Sequence, residues 1–137
     1  MNMKSFEDLD CWRKAAELRR KIAALVKTFP PEEKYRLMDQ MIRCSRSAPA
    51  QIAEGYGRFH FQENIQYCRQ GRGSIYELLD HLICSREEQY ISEDTLNKYR
   101  DAIQECLAVL NGYINYLMKA KAIKVEESLV TYETNND

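Results

Sequence analysis

The chain has 137 residues, 45% of them apolar and 30% charged, and a formal net charge of −1. That length fits one domain whose core needs neither disulfides nor metal to hold it. The near-neutral balance excludes a polycation, so any affinity for nucleic acid has to come from a local patch.

A first helix is predicted from about Asp8 to Phe29. Ala15, Leu18, Ile22, Leu25 and Phe29 recur at alternating spacings of three and four, which draws one apolar stripe on a helix. Leu9, Trp12, Ala16, Ala23 and Val26 widen it. Pro30 and Pro31 end this element, and Pro31 with Glu32 and Glu33 suits the positive N-terminal end of the next. A second helix is predicted from about Pro31 to Glu54, with Leu37, Met38, Met41, Ile42, Ala48 and Ile52 on its apolar side. Pro49 should kink it, since it lacks a backbone donor. Gly55 is the expected C-cap, and Gly57 is expected to help the chain reverse.

A third helix is predicted from about Phe61 to Tyr90, with Ile65, Cys68, Ile75, Leu79, Leu82 and Ile83 on its face. Gly71 and Gly73 lie inside it. Each costs about 1 kcal/mol against alanine, which close approach of a neighbouring backbone would offset. Ser92 is a good N-cap for the fourth helix, with Glu93 and Asp94 in its first turn. In that helix Leu96, Tyr99, Ile103, Cys106, Leu110, Tyr113, Leu117 and Ala120 make a sustained seam suited to near-antiparallel packing. Residues 125–137 hold four acids and no base and are expected to be a flexible acidic tail. The expected organisation is an all-α, antiparallel up-down four-helix bundle over residues 1–124, followed by that tail.

The five cysteines (Cys11, Cys44, Cys68, Cys84, Cys106) include no Cys-x-x-Cys pair and sit within apolar helical patterns. They read as small hydrophobes in a reducing compartment rather than as a disulfide framework or a zinc site. No apolar run approaches the roughly 18 residues needed to span a bilayer, so a cytoplasmic location with no membrane partner is expected. Metal and catalytic layouts fail too. His81 follows Glu77 by four residues, not the three of a di-iron Glu-x-x-His bundle. Nothing orients His81 as a base toward Cys84. Gly71-Arg72-Gly73-Ser74 lacks the preceding strand and Gly-Lys-Ser/Thr ending of a phosphate loop. No enzyme activity, cofactor or metal is expected.

Arginine carries the remaining signal. Between Lys34 and Lys98 every basic residue is arginine: Arg36, Arg43, Arg46, Arg58, Arg69, Arg72 and Arg86. Residues 40–75 hold five arginines and two acids, Glu54 and Glu63. Arg36 and Arg43 share a helical face with Arg46 beside it, opposite Met38, Met41 and Ile52. The planar guanidinium suits phosphate, and it suits interfacial carboxylates equally well. Arg72 differs, because it falls near the stripe of Cys68, Ile75 and Leu79, where a charge must be paired. Glu54 and Glu77 are the candidate partners for Arg72, Arg43 or Arg46. Tyr56, Tyr67, Tyr76, Tyr90, Tyr113 and Tyr116 could stack on bases or line a core edge or subunit interface. Apolar residues off the main stripes (Leu78, Val109, Ile114) point to oligomerisation.

With these residues in hand, the chain resembles a bacterial family, the four-helix-bundle proteins encoded in intervening sequences of 23S ribosomal RNA genes. The resemblance begins at Phe6-x-x-Leu9-x-x-Trp12-x-x-Ala15 and passes through Phe29-Pro30-x-Glu32 and Leu37-x-x-Gln40. Its most specific parts are Arg43-x-x-Arg46-Ser47-x-Pro49-x-x-Ile52-Ala53-Glu54-Gly55-x-Gly57-Arg58 and Gly73-Ser74-x-x-Glu77-Leu78. Gln51 departs from the usual asparagine, and Gly71-Arg72 from small or apolar residues. The resemblance implies a homo-oligomeric ring, a homopentamer. It also implies a fold similar to the accessory variability determinant proteins of diversity-generating retroelements, basic pentamers that bind a reverse transcriptase and nucleic acid. The expected function is therefore RNA binding as a ribonucleoprotein or reverse-transcriptase accessory factor, through Arg36, Arg43, Arg46, Arg58 and Arg69. The rival is a protein-interaction scaffold in which the arginines tie subunits together.

Overall fold

The chain enters its first helix through a cap. In the computed structural model, which describes residues 4–136, Ser5 Oγ accepts the Glu7 N–H at 3.0 Å and Asp8 returns a carboxylate to the Ser5 N–H at 3.4 Å. Asp8 is held below its ordinary carboxylate pKa by the backbone N–H groups of Lys4 and Ser5. A short 3-10 turn at Phe6–Asp8 leads into α1 (Asp10–Leu25), and α2 (Leu37–Gly57), α3 (Phe61–Glu87) and α4 (Glu93–Asn136) follow. No strand occurs among the described residues. Met1, Asn2 and Met3 of the expected bundle and Asp137 of the expected tail lie outside them.

The four helices close a circuit in which α1 touches α2, α2 touches α3, α3 touches α4 and α4 returns to α1, while the backbones of the diagonal pairs stay apart. Every helix supplies the core: Ile22 from α1, Met41 and Ile52 from α2, Ile75, Leu78 and Leu82 from α3, Ile103 and Leu110 from α4 are fully buried. Each such side chain contributes about 1.5–3 kcal/mol by leaving water. The seam predicted on α4 is buried or half-buried along its whole length. Leu78 and Ile114, expected as spare apolar surface, are only 1% and 3% exposed and belong to this core. Stripes wider than a two-residue seam are what a four-sided core requires, so these two residues give no argument for oligomerisation.

Several boundaries differ from expectation. α1 gives way at Leu25 to a 3-10 turn over Val26–Thr28 instead of running on to Phe29. α2 starts at Leu37, not Pro31, because residues 31–33 form a 3-10 turn and Arg36 is non-helical. Glu33 then does the capping: its carboxylate accepts the Leu37 N–H at 3.1 Å and the Tyr90 hydroxyl at 2.9 Å, tying the start of α2 to the end of α3. At the other end α2 runs on through buried Pro49 and past Gly55 to Gly57. Gly55 is therefore not a cap. It is buried against α3, where a Cβ would stand 2.9 Å from Tyr67 Cβ and 2.8 Å from Asn64 Oδ1. The reversal is made by Phe59, at φ 55°. α3 ends at Glu87 rather than Tyr90: Gln89 adopts φ 65° and Tyr90 N–H reaches back to the Ser85 carbonyl at 2.9 Å, the 6→1 bond of a Schellman ending.

Gly71 fulfils its expectation, since a Cβ there would lie 3.1 Å from the Ala48 carbonyl of α2, whereas Gly73 faces open space. Ser92 caps α4 as predicted, accepting the Thr95 N–H at 3.1 Å. The largest difference is at the end of the chain. Residues 125–136, expected as a flexible acidic tail, continue α4 as helix. No glycine or proline interrupts them, and Lys121, Ala122, Lys124, Glu126, Glu127 and Leu129 are strong helix formers. The helix runs about 28 Å past Leu117, its last core residue, at 1.5 Å per residue. Ile123, Val125, Leu129, Val130 and Tyr132 are all more than half exposed on that stretch.

Candidate nucleic-acid interface

The five arginines expected to bind a polyanion are all exposed, but they fall into three situations. Arg36 stands at the break before α2, and Arg43 and Arg46 project from α2 itself. Arg43 is held by Asp39 one turn earlier at 3.1 Å, yet its side chain keeps 78% of its exposure. Arg36, Arg46 and Arg69 make no ion pair with any described carboxylate. Arg69 belongs to a different surface. It lines a groove between α3 and α4 with Gln62, Ile65, Lys121, Val125 and Glu126.

Arg58 is the arginine most consumed by its neighbours. One guanidinium nitrogen donates to Glu54 at 2.9 Å and to the Tyr67 hydroxyl at 2.7 Å, and the group stands 5.2 Å over the Tyr67 ring. Glu63 adds a longer pair at 4.0 Å. These contacts, the Glu54 hydrogen bond first, hold its pKa above the ordinary arginine value. Arg58 staples the α2–α3 corner.

The pairings expected for Arg72 are not the ones formed. It is half-buried and donates to Asn111 Oδ1 of α4 at 2.9 Å. Glu54 goes to Arg58 instead, and Glu77 faces His81 at 3.9 Å. A neutral amide suffices because the Arg72 side chain keeps partial contact with water, so full charge neutralisation is unnecessary. Arg72→Ala is accordingly expected to cost about 1 kcal/mol, near the value of one hydrogen bond. A urea titration checks this, and a loss of several kcal/mol would point to a buried ion pair.

Two lysines, not singled out by the arginine pattern, join this surface. Lys121 and Lys124 of α4 stand over the start of α3, with Lys121 hydrogen-bonded to Gln62 and Lys124 5.7 Å from the Phe61 ring. Together with His60, Ser128, Leu129 and Tyr132 they line an open groove of about 520 Å³. The signal was present in Lys119-Ala120-Lys121-Ala122-Ile123-Lys124, but a helix end was expected there. The tyrosines divide as well. Tyr67, Tyr90 and Tyr113 are engaged by Arg58, Glu33 and Asn64 respectively, while Tyr76 and Tyr116 are exposed.

The cysteines pack as small apolar groups. Burial pushes the thiols of Cys11, Cys44, Cys68 and Cys106 up to about 12, with neighbouring Glu77 adding to the effect at Cys44. All five are free. Among the described residues no helix is long and apolar enough to cross a membrane.

The arrangement of α1 to α3 and the first half of α4 has counterparts. The family model described as 23S rRNA-intervening sequence protein matches residues 7–112. The chain belongs to this family. A solved structure has the same fold: a protein with unknown function from the S23 ribosomal protein family of Bacteroides thetaiotaomicron VPI-5482, with a TM-score of 0.71. It is 20% identical, and the alignment covers 77% of this chain and 95% of that one. Among curated proteins, none matches the chain. Within this member of the 23S rRNA-intervening sequence protein family, Arg36, Arg43, Arg46, Arg58 and Arg69 all lie inside the matched span. The distal half of α4, with Lys121 and Lys124, lies beyond it.

Proposed function

We propose that this protein is a non-enzymatic, nucleic-acid-binding four-helix bundle, with RNA as its polyanion. It acts in the cytoplasm as an oligomeric ribonucleoprotein component or as an accessory factor to a reverse transcriptase. The observation that carries the reading is the set of unpaired guanidinium groups. Arg36, Arg46 and Arg69 extend into solvent with no described carboxylate to neutralise them, in a chain whose overall charge is −1. Free arginine forks are suited to phosphate oxygens.

The helices alternate in direction in this reading, supported by the order of their cross-links: Ser85 to Met41, Ser74 to Ser47, and Gly71 against Ala48 run oppositely along α2 and α3. Copies assemble into a ring, five by family resemblance, and the exposed apolar side chains of distal α4 supply surface for assembly. Several modest patches on one polyanion raise affinity through effective concentration.

Titration with single-stranded RNA across a salt series tests the proposal. Binding should weaken linearly in log–log form, with a slope of about −0.7 for each phosphate neutralised. Absence of binding at low salt, or a slope near zero, would defeat it. The second reading, a protein-interaction scaffold without nucleic-acid contact, is favoured by the same apolar stretch of α4. Partners retained after nuclease treatment of a pulldown would select it.

A further inference from the structure

One cluster between α2 and α3 sets a buried core thiol beside two polar side chains. The ligand atoms of Cys44 on α2 and of Glu77 and His81 on α3 all lie within 4.8 Å of one another. The cluster is next to the interhelical hydroxyl pair of Ser47 and Ser74, 3.0 Å apart. His81 brings an orphaned polar atom to the cluster. Its side chain is only 13% exposed, and its Nε2 is shielded from solvent without any hydrogen-bond partner. Buried ring nitrogens are rarely left so. A Glu77 carboxylate oxygen stands 3.9 Å away, too far for a hydrogen bond.

The donor set is specific. One thiol, one imidazole and one carboxylate are the three ligand types that zinc takes, and three protein ligands leave a fourth position for water. Soft sulfur beside imidazole disfavours magnesium or calcium, which take oxygen. Glu77 and His81 are four residues apart on one helix, so they share a face, and Cys44 approaches from the neighbouring helix. Tetrahedral zinc would hold such ligands about 3.5 Å apart, given bonds of about 2.0–2.3 Å. Closing a spread of up to 4.8 Å needs about 1 Å of side-chain movement, to which the exposed Glu77 can contribute.

We infer that Cys44, Glu77 and His81 form a site for a zinc-class divalent cation that clamps α2 to α3, with a fourth position open on the Glu77 side. Binding transfers the Cys44 thiol proton to the buffer and leaves a thiolate on the metal. The site is independent of the polyanion reading, and either can fail without the other.

Cobalt(II) added to the full-length, chelator-treated chain tests the site. One equivalent per chain should produce a thiolate-to-cobalt charge-transfer band in the near ultraviolet with intense tetrahedral visible absorption, and zinc should displace both. Cys44→Ser should abolish the charge-transfer band. Cys84→Ser, a cysteine outside the cluster, should leave it intact. Because Glu77 is exposed, Glu77→Gln keeps the fold and should weaken cobalt binding by at least about tenfold. Zinc should raise the melting temperature of the parent and not of Glu77→Gln. A parent without a stoichiometric band, a band persisting in Cys44→Ser, or unchanged affinity in Glu77→Gln would each overturn the assignment.

Discussion

Gly55→Val is expected to lower the melting temperature by about 10 °C, a loss of about 3 kcal/mol in a chain of this length. The cause is local crowding. Even the first added carbon would stand 2.8 Å from Asn64 Oδ1, 2.9 Å from Tyr67 Cβ and 3.1 Å from the Asn64 carbonyl oxygen. The Asn64 amide is not free to swing aside, because it is buried and engaged. It donates to the Tyr113 hydroxyl at 3.1 Å and accepts from the Cys68 thiol. Displacing it would loosen α3 from α4 as well as α2 from α3. Helix propensity works in the opposite direction by up to about 1 kcal/mol when glycine is replaced, and overpacking outweighs it here. Gly73→Ala is the contrast. Nothing lies within 4 Å of a Cβ at that position, so only the propensity gain remains and the variant should melt a few degrees higher. Thermal unfolding followed by circular dichroism checks both, and a Gly55→Val protein that melts like the parent would show that α2 and α3 are not pressed together there.

These two glycines mark what could be read from the residues alone. Periodicity located all four helices, because burial on one face leaves a repeat that survives without coordinates. It also placed the α4 seam, while residue type placed the Ser92 cap. It could not tell Gly71 from Gly73, since the difference lies in which residues of α2 stand opposite. Nor could it separate a glycine that permits a turn from one that permits contact. Gly55 was read as the first and is the second, and Phe59 took the left-handed conformation instead. The distal part of α4 was misread for another reason: its composition is acidic and exposed, which resembles a tail, yet its local propensities favour helix. The arginines were found as residue types, but their availability depends on partners. Asn111 beside Arg72, and Glu54 with Tyr67 around Arg58, are set by helix packing and by the corner at residues 58–60. The convergence of Cys44 with Glu77 and His81 is likewise a product of α2–α3 register, which spacing within either helix does not encode.

Replacing Arg36, Arg46 and Arg69 together by alanine is expected to reduce RNA affinity by about 100-fold at 0.1 M salt and to flatten the salt dependence by about two. The arithmetic follows from counterion release. Each phosphate contact on a single strand contributes about 0.7 to the slope, so three contacts contribute about two, which is two decades between 1 M and 0.1 M. All three side chains are exposed and outside the described ion pairs, so their removal should leave the fold intact. Arg58→Ala provides the discriminating comparison. Its charge is already shared with Glu54 and Glu63, so it has less to offer a phosphate and should change the slope by well under one. Its loss should appear as no more than a slight weakening of the α2–α3 corner, because solvent screens exposed ion pairs. Should Arg58→Ala abolish binding while the triple variant retains it, the corner itself would be the contact surface, and the unpaired arginines would be solvated charges with no phosphate to meet.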